Sequence, residues 1–221
     1  MNIAVKDLGV QIDGRTIFEA VSLEISPGTM TALTGPSGCG KTTLLNCLGL
    51  IQRPTGGAVL VGGVDTAGWR DARRTRFWKD HVAFIYQDYG IIDDRSVAYN
   101  VTLSKHRSRS TTKRVDEVLT AVGLSQRGEP AAVLSGGEKQ RLGVARAMFK
   151  EATFIFADEP TASLDTENRE LVTALLLSRA SSGASVVIAT HDSRLAESCG
   201  ARFEVAGAGQ PMQHAAAGGG R

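Results

Sequence analysis

Gly35-Pro36-Ser37-Gly38-Cys39-Gly40-Lys41-Thr42 has the spacing G-x-x-x-x-G-K-[ST]. Ahead of it, after the turn signal Pro27-Gly28, Met30 to Thr34 reads as a strand. Behind it, Thr43, Leu44, Leu45, Cys47 and Leu48 fall at helical spacing until Pro54 stops the pattern. Strand, glycine-rich loop and helix thus follow one another directly, the context that makes this spacing a phosphate-binding device. Its glycines let the backbone wrap so that successive amide hydrogens point at a β-phosphate, and the helix start adds positive potential. Lys41 is placed to reach the β- and γ-phosphates, and the Thr42 hydroxyl to ligate Mg2+.

The flanking sequence supplies a sheet for this loop. Thr153 to Ala157 and Ser185 to Thr190 are β-branched or aromatic runs of the kind buried in parallel sheets, with the helical Leu171 to Leu177 between them. Towards the N-terminus, Ile3 to Val5 and Ser22 to Ile25 read as short strands around the turn Asp13-Gly14, an antiparallel opening. Ala58 to Val61 and Val82 to Tyr86 are further short strands. The more polar segment 91–134, with helical Val115, Val118, Leu119 and Val122, reads as a helical subdomain inserted into an α/β core. Residues 1–206 form one domain in this reading, and the Gly/Ala-rich 207–221 a disordered tail.

Composition narrows the class. The chain has 221 residues, 42% hydrophobic, 22% charged and 5% aromatic, the profile of an ordinary globular protein rather than a fibre or disulfide scaffold. Its formal charge of +2, with both signs interspersed, gives no electrostatic reason to expect nucleic acid. The basic stretches Arg70 to Lys79 and Lys105 to Arg114 read as solvated surface. Three cysteines, Cys39, Cys47 and Cys199, are an odd number without metal-ligand spacing and fit a reducing, cytoplasmic compartment. No run of about 18 apolar residues is present, so the chain is not expected to cross a membrane by itself.

Two further segments carry chemistry. Phe154 to Ala157 ends in Asp158-Glu159, an apolar strand delivering two carboxylates to the edge of a parallel sheet, where ligands of open α/β sheets lie. Asp158 would sit near the Mg2+ and Glu159 would orient or deprotonate an attacking water. Leu134-Ser135-Gly136-Gly137-Glu138, followed by Gln140-Arg141 and a helix through Leu142, Ala145 and Met148, is either a capped turn or a second phosphate-binding helix start.

With the three motifs in this order, the chain resembles the nucleotide-binding subunit of ATP-binding cassette (ABC) transporters, from Ile3 to about Val205. The resemblance implies a P-loop NTPase core of mostly parallel sheet with flanking helices, an antiparallel β subdomain and an inserted helical subdomain. It implies an ATP hydrolase using ATP and Mg2+, with Gln87 as the Q-loop residue near the metal and the attacking water. Asp165 becomes part of the D-loop, Ala162-Ser163-Leu164-Asp165, and His191 the switch residue that contacts the γ-phosphate. Ser135, Gly136, Gly137 and Glu138 become the signature that binds ATP held by another copy. The implied partners are a second copy or a similar ATPase subunit and separate multi-span membrane permease subunits, with no nucleic acid. The chain would then sit peripherally at the inner face of the cell membrane.

Tyr86 to Val101 looks like the subgroup of lipoprotein-releasing, macrolide-export and peptide or bacteriocin-export ATPases. In this segment Asp93, Asp94 and Arg95 are either charges for a docking membrane partner or a solvated loop. One position departs from the family. An aromatic usually stacks on adenine near the twelfth residue, where this chain has Ile12; Phe18 aligns with an ordinary core position. Adenine is expected to pack against an aliphatic side chain instead, with about 1 kcal/mol of stacking lost. The alternative readings are a soluble ABC ATPase acting on nucleic acid or ribosomes, and a regulatory mechanotransmission ATPase without transport.

Overall fold

A computed structural model describes residues 1–105, 108–206 and the backbone of 213–215. β1 (Ile3–Ile12) and β2 (Arg15–Ile25) form a long antiparallel hairpin in which Ile12 pairs with Arg15 across Asp13-Gly14. Both turn residues have positive φ, 50° and 76°, the geometry that matches a two-residue turn to the twist of its strands. The strands are longer than their apolar cores suggest because Lys6, Asp7, Glu19 and Glu24 take the exposed side of the alternation. Together with β4 (Gly56–Val61) and β5 (Val64–Asp65) they make a sheet of order β2-β1-β4-β5.

The second sheet carries the chemistry. β3 (Met30–Thr34), β8 (Ser185–Ala189), β7 (Phe154–Asp158) and β6 (Val82–Ile85) lie parallel and adjacent in that order. Nearly every residue of these strands is buried, as expected of a sheet covered on both faces. Because they run the same way, the segments after β3, β6, β7 and β8 emerge at one edge. Those segments are the phosphate loop, Tyr86-Gln87, Glu159 and Thr190-His191.

Two apolar clusters flank this sheet. On one side Leu33, Phe154, Phe156 and Val187 pack with Leu44, Leu45 and Leu48 of α1 (Lys41–Leu48) and with Ile3, Leu8 and Phe18 of the antiparallel sheet. On the other, Ile155, Val186 and Ile188 pack with α5 (Gly136–Lys150) and α6 (Thr166–Ser181). α5 also joins α3 (Val97–Thr102) and α4 (Arg109–Ala121) through Val101, Val115, Leu119, Leu142 and Ala145, so the inserted helices share the main core. α7 (Ser193–Glu197) follows β8 and is capped by Asp192.

The structure corrects three expectations. The helix after the phosphate loop ends at Leu48, with Gly49 as its cap, well before Pro54. The arginine-rich stretch is α2 (Asp71–His81), and one of its arginines is not solvated: Arg74 is 7% exposed, its guanidinium donating to the carbonyl of Leu50. In the second basic stretch, 106–107 lie outside the described residues. The expected structureless tail falls mostly outside them too, yet within it β10 (Gln213–Ala215) pairs antiparallel with β9 (Ala201–Glu204). β9 would otherwise leave a row of unpaired backbone groups at the sheet edge.

Candidate functional site

The phosphate loop leaves β3 through Gly35, whose φ of 139° is open only to glycine, and enters α1 through Gly40 at φ 100°. A β-carbon on Gly40 would lie 2.7 Å from Ile17 and 2.9 Å from Phe18, so backbone freedom and close packing both require glycine there. No side chain caps α1, which leaves its first amide hydrogens free for an anion. Lys41 Nζ folds back over the loop and donates to the carbonyls of Gly35 (2.9 Å) and Pro36 (3.0 Å). Cys39 is buried, with Sγ turned inward, 2.9 Å from where a Gly35 β-carbon would stand.

A cleft of about 410 Å3 opens here. It gathers Ser37, Gly38, Gly40, Lys41, Thr42 and Thr43 with Gln87, Asp158, Glu159 and His191 from the other strand ends. Burial pushes the Asp158 carboxyl above its ordinary range, opposed by a hydrogen bond with Thr42 and by the charge of Lys41. Glu159 has φ 46°, a left-handed conformation that an unbranched acid adopts only when its surroundings hold it. They do: its amide donates to Ala189 O (2.9 Å), Thr190 Oγ1 donates to Oε2 (3.2 Å), and the His191 amide donates to Oε1 (3.1 Å).

The signature segment forms a different cleft, of about 500 Å3, lined by Ser135, Gly137, Glu138, Arg141, Ser163, Leu164, Asp165 and Asn168. Ser135 caps α5 in a reciprocal box with Glu138, and Asp165 caps α6, accepting from the Asn168 amide at 2.9 Å. A β-carbon on Gly136 would meet the Tyr89 hydroxyl at 2.8 Å, and that hydroxyl lies 3.4 Å from Ser163 Oγ. The two clefts share no lining residue.

Ile12, at the end of β1 and 42% exposed, does not line the phosphate cleft; the aliphatic side chain that does is Ile17, from the strand returning after the turn. Ile17 was legible only as one more apolar residue beyond Asp13-Gly14, and Thr190 only as the last residue of a strand. The charges at Asp93, Asp94 and Arg95 have intramolecular partners. Asp93 pairs with Lys139 (2.7 Å), Asp94 with Arg95 (3.9 Å), and the Arg95 guanidinium stands 5.6 Å from the Tyr99 ring centre.

A model of the ABC transporter family matches residues 18–162. The chain belongs to that family. A lipoprotein-releasing system ATP-binding protein, LolD 1 of Rhodopirellula baltica, is 36% identical over 196 residues, covering 86% of both chains. LolD of Novosphingobium aromaticivorans is 39% identical over 195 residues, covering 85% of both. Among solved structures, the dimeric post-hydrolysis state of the ATP-binding cassette MJ0796 bound to ADP and Pi superposes with a TM-score of 0.87. It is 27% identical and covers 96% of this chain and 98% of that one. As an ABC transporter ATP-binding subunit the chain binds and hydrolyses ATP, and its α/β architecture of one mostly parallel and one antiparallel sheet is that of the cassette.

Beside the sheet edge lies a largely apolar groove of about 770 Å3, with Ile51, Trp78, Phe84, Tyr86, Leu103 and Phe149 on its walls. Two of its three cations are tied down: Arg146 donates to Asn100 O and Gly90 O, and Lys150 to Trp78 O and Val82 O, while Lys79 is exposed. Among the described residues no helix is long and apolar enough to cross a membrane.

Proposed function

We propose that this chain is the ATPase of an exporter or extractor acting on a lipid-linked, peptide or drug-like substrate through separate membrane permeases at the inner face of the cell membrane. Two copies would sandwich two ATP molecules, each held by Lys41 of one copy and Ser135 of the other. The observation that carries this is the division of the site: phosphate loop, carboxylates and His191 line one cleft, and the signature lines another with no residue in common. A second copy would bring the signature half to an ATP held by the phosphate loop of the first. The LolD names of the relatives support the lipid-linked class, and the dimeric MJ0796 cassette supports the pairing.

Within this reading Ser37 to Thr43 wrap the phosphates, and α1 presents its amide hydrogens to them. Thr42, Asp158 and Gln87 offer one hydroxyl, one carboxylate and one amide oxygen, a hard-oxygen set suited to Mg2+ that is otherwise bound by phosphates and water. No cluster of three or more His, Cys, Asp or Glu among the described residues offers an all-protein cage. Mg2+, when bound, neutralises charge developing on the transferred phosphoryl. Glu159 aligns and deprotonates the attacking water, held for the task by Thr190 and His191. Once the γ-phosphate leaves, the contact that joined the copies is gone and they separate. The apolar groove beside Tyr86 would receive a helix of the permease, next to the segment that carries Gln87.

The test is affinity capture of Glu159→Gln with ATP from detergent-solubilised membranes, with Lys41→Ala as the control that cannot bind nucleotide. A multi-span membrane protein retained by the first and not the second is the expected result. Ribosomal components or nucleic acid in its place would contradict the reading.

A further inference from the structure

The hydroxyl proton of Ser135 is already committed. Ser135 Oγ donates to Glu138 Oε2 at 2.9 Å, and the same carboxylate oxygen accepts from the Ser135 amide at 2.8 Å. Ser135 Oγ in turn accepts from the Glu138 amide at 3.3 Å, and Gln126 Nε2 donates to the other carboxylate oxygen at 2.9 Å. A serine has one proton to give, and hydrogen bonds to an ionised acceptor are the strong ones. Glu138 lines the signature cleft together with a second carboxylate, Asp165, against one guanidinium, Arg141.

We propose that Glu138 sets the ATP concentration at which two copies pair, by retaining the Ser135 hydroxyl proton and holding a negative charge in the cleft that receives the other copy's nucleotide. The inference rests on the shared-site reading above. A γ-phosphate entering this cleft has to draw the hydroxyl from one anion to another and to settle beside the charge it displaced. Glu138 is therefore a positioning residue acting through Ser135, and it makes closure demand more nucleotide than a neutral residue would. A glutamine keeps the reciprocal cap, since either side chain serves at this position of the box, while removing the charge and weakening the acceptor.

The experiment compares Glu159→Gln with Glu159→Gln/Glu138→Gln by static light scattering against ATP concentration, at low salt and at about 1 M salt. The double variant is expected to reach half-maximal dimer at about five- to tenfold less ATP at low salt, and the gap to narrow at high salt, where screening removes the charge effect. A cap that served structure alone would shift the melting temperature and leave the ATP requirement unmoved. A double variant needing as much ATP as the single one, or more, overturns the assignment to Glu138 while leaving the shared site intact. If Glu159→Gln and the double variant both stay monomeric at saturating ATP, the shared-site reading falls and takes this inference with it.

Discussion

Oε1 of Glu159 lies 2.7 Å from Nδ1 of His191, although 32 residues separate the two in sequence. The acid is nearly enclosed, its side chain 12% exposed, while the imidazole is 70% exposed at the cleft wall. Paired this way, a neutral ring carries its proton on Nδ1 and presents Nε2 to the cleft as an acceptor; a doubly protonated ring presents a donor there as well. His191 thus holds the acid through one nitrogen and, in the proposed reaction, would meet the γ-phosphate through the other. His191→Ala is expected to lower kcat by about 10²-fold or more with little change in ATP affinity, because general-base alignment is lost while the phosphate loop stays intact. Steady-state ATPase kinetics beside equilibrium nucleotide binding check the split.

Ile12 stands exposed at the end of the β1–β2 hairpin, at the position where the resemblance to ABC subunits places an aromatic against adenine. Ile12→Tyr is expected to add about 1 kcal/mol of stacking, which is about fivefold in ATP Kd. Calorimetric titration decides it; an unchanged Kd would show that the base does not reach this position.

Gly49 caps α1 with an ordinary φ of −78°, so its need for glycine is one of space. A β-carbon there would overlap the Phe84 ring, which is stacked on Tyr86 at 5.5 Å and packed against Phe156 at 5.3 Å between centres. Trp78 Nε1 fixes the same turn by donating to Gly49 O at 2.8 Å. Gly49→Ala is expected to cost about 1–3 kcal/mol by overpacking, lowering Tm by roughly 3–10 °C for a domain of this size. Thermal unfolding followed by circular dichroism measures it.

The Glu138 carboxyl is held below its ordinary range, first by the hydrogen bond from the Ser135 amide and then by the Ser135 hydroxyl, with Gln126 and the charge of Arg141 adding to the shift. A carboxyl with a depressed pKa in the folded state stabilises the fold above its unfolded pKa, and that contribution disappears as pH falls through the folded one. Glu138→Ala is therefore expected to lower Tm by roughly 1–3 °C at neutral pH. The difference from the parent should shrink steadily as the pH is taken below about 4. A deficit that stays constant to acid pH would mean that the cap does not depend on the charge.

The parallel sheet and its edge were legible because each strand is a short apolar run followed at once by its chemistry: Gly35 after Thr34, Asp158-Glu159 after Ala157, His191 after Thr190. α2 was hidden because its core side uses Arg74 beside Phe77, and a long side chain can bury its stem and spend its charge on the Leu50 carbonyl. Ile17 and Tyr89 join the site through tertiary contact, one over Gly40 and the other against Gly136, and nothing in their local sequence reports it. β10 pairs with β9 through backbone groups, which its Gly- and Ala-rich neighbourhood does not reveal.

The measurement that bears most directly on the whole account is the molar mass of Glu159→Gln in solution with and without ATP. Removing the base should leave nucleotide binding intact and stop turnover, so the mass should rise from the 23.4 kDa of one chain to twice that value when ATP is added and fall back when it is withdrawn. A protein that binds ATP under these conditions and still runs as one chain would contradict a site completed by the signature of a second copy.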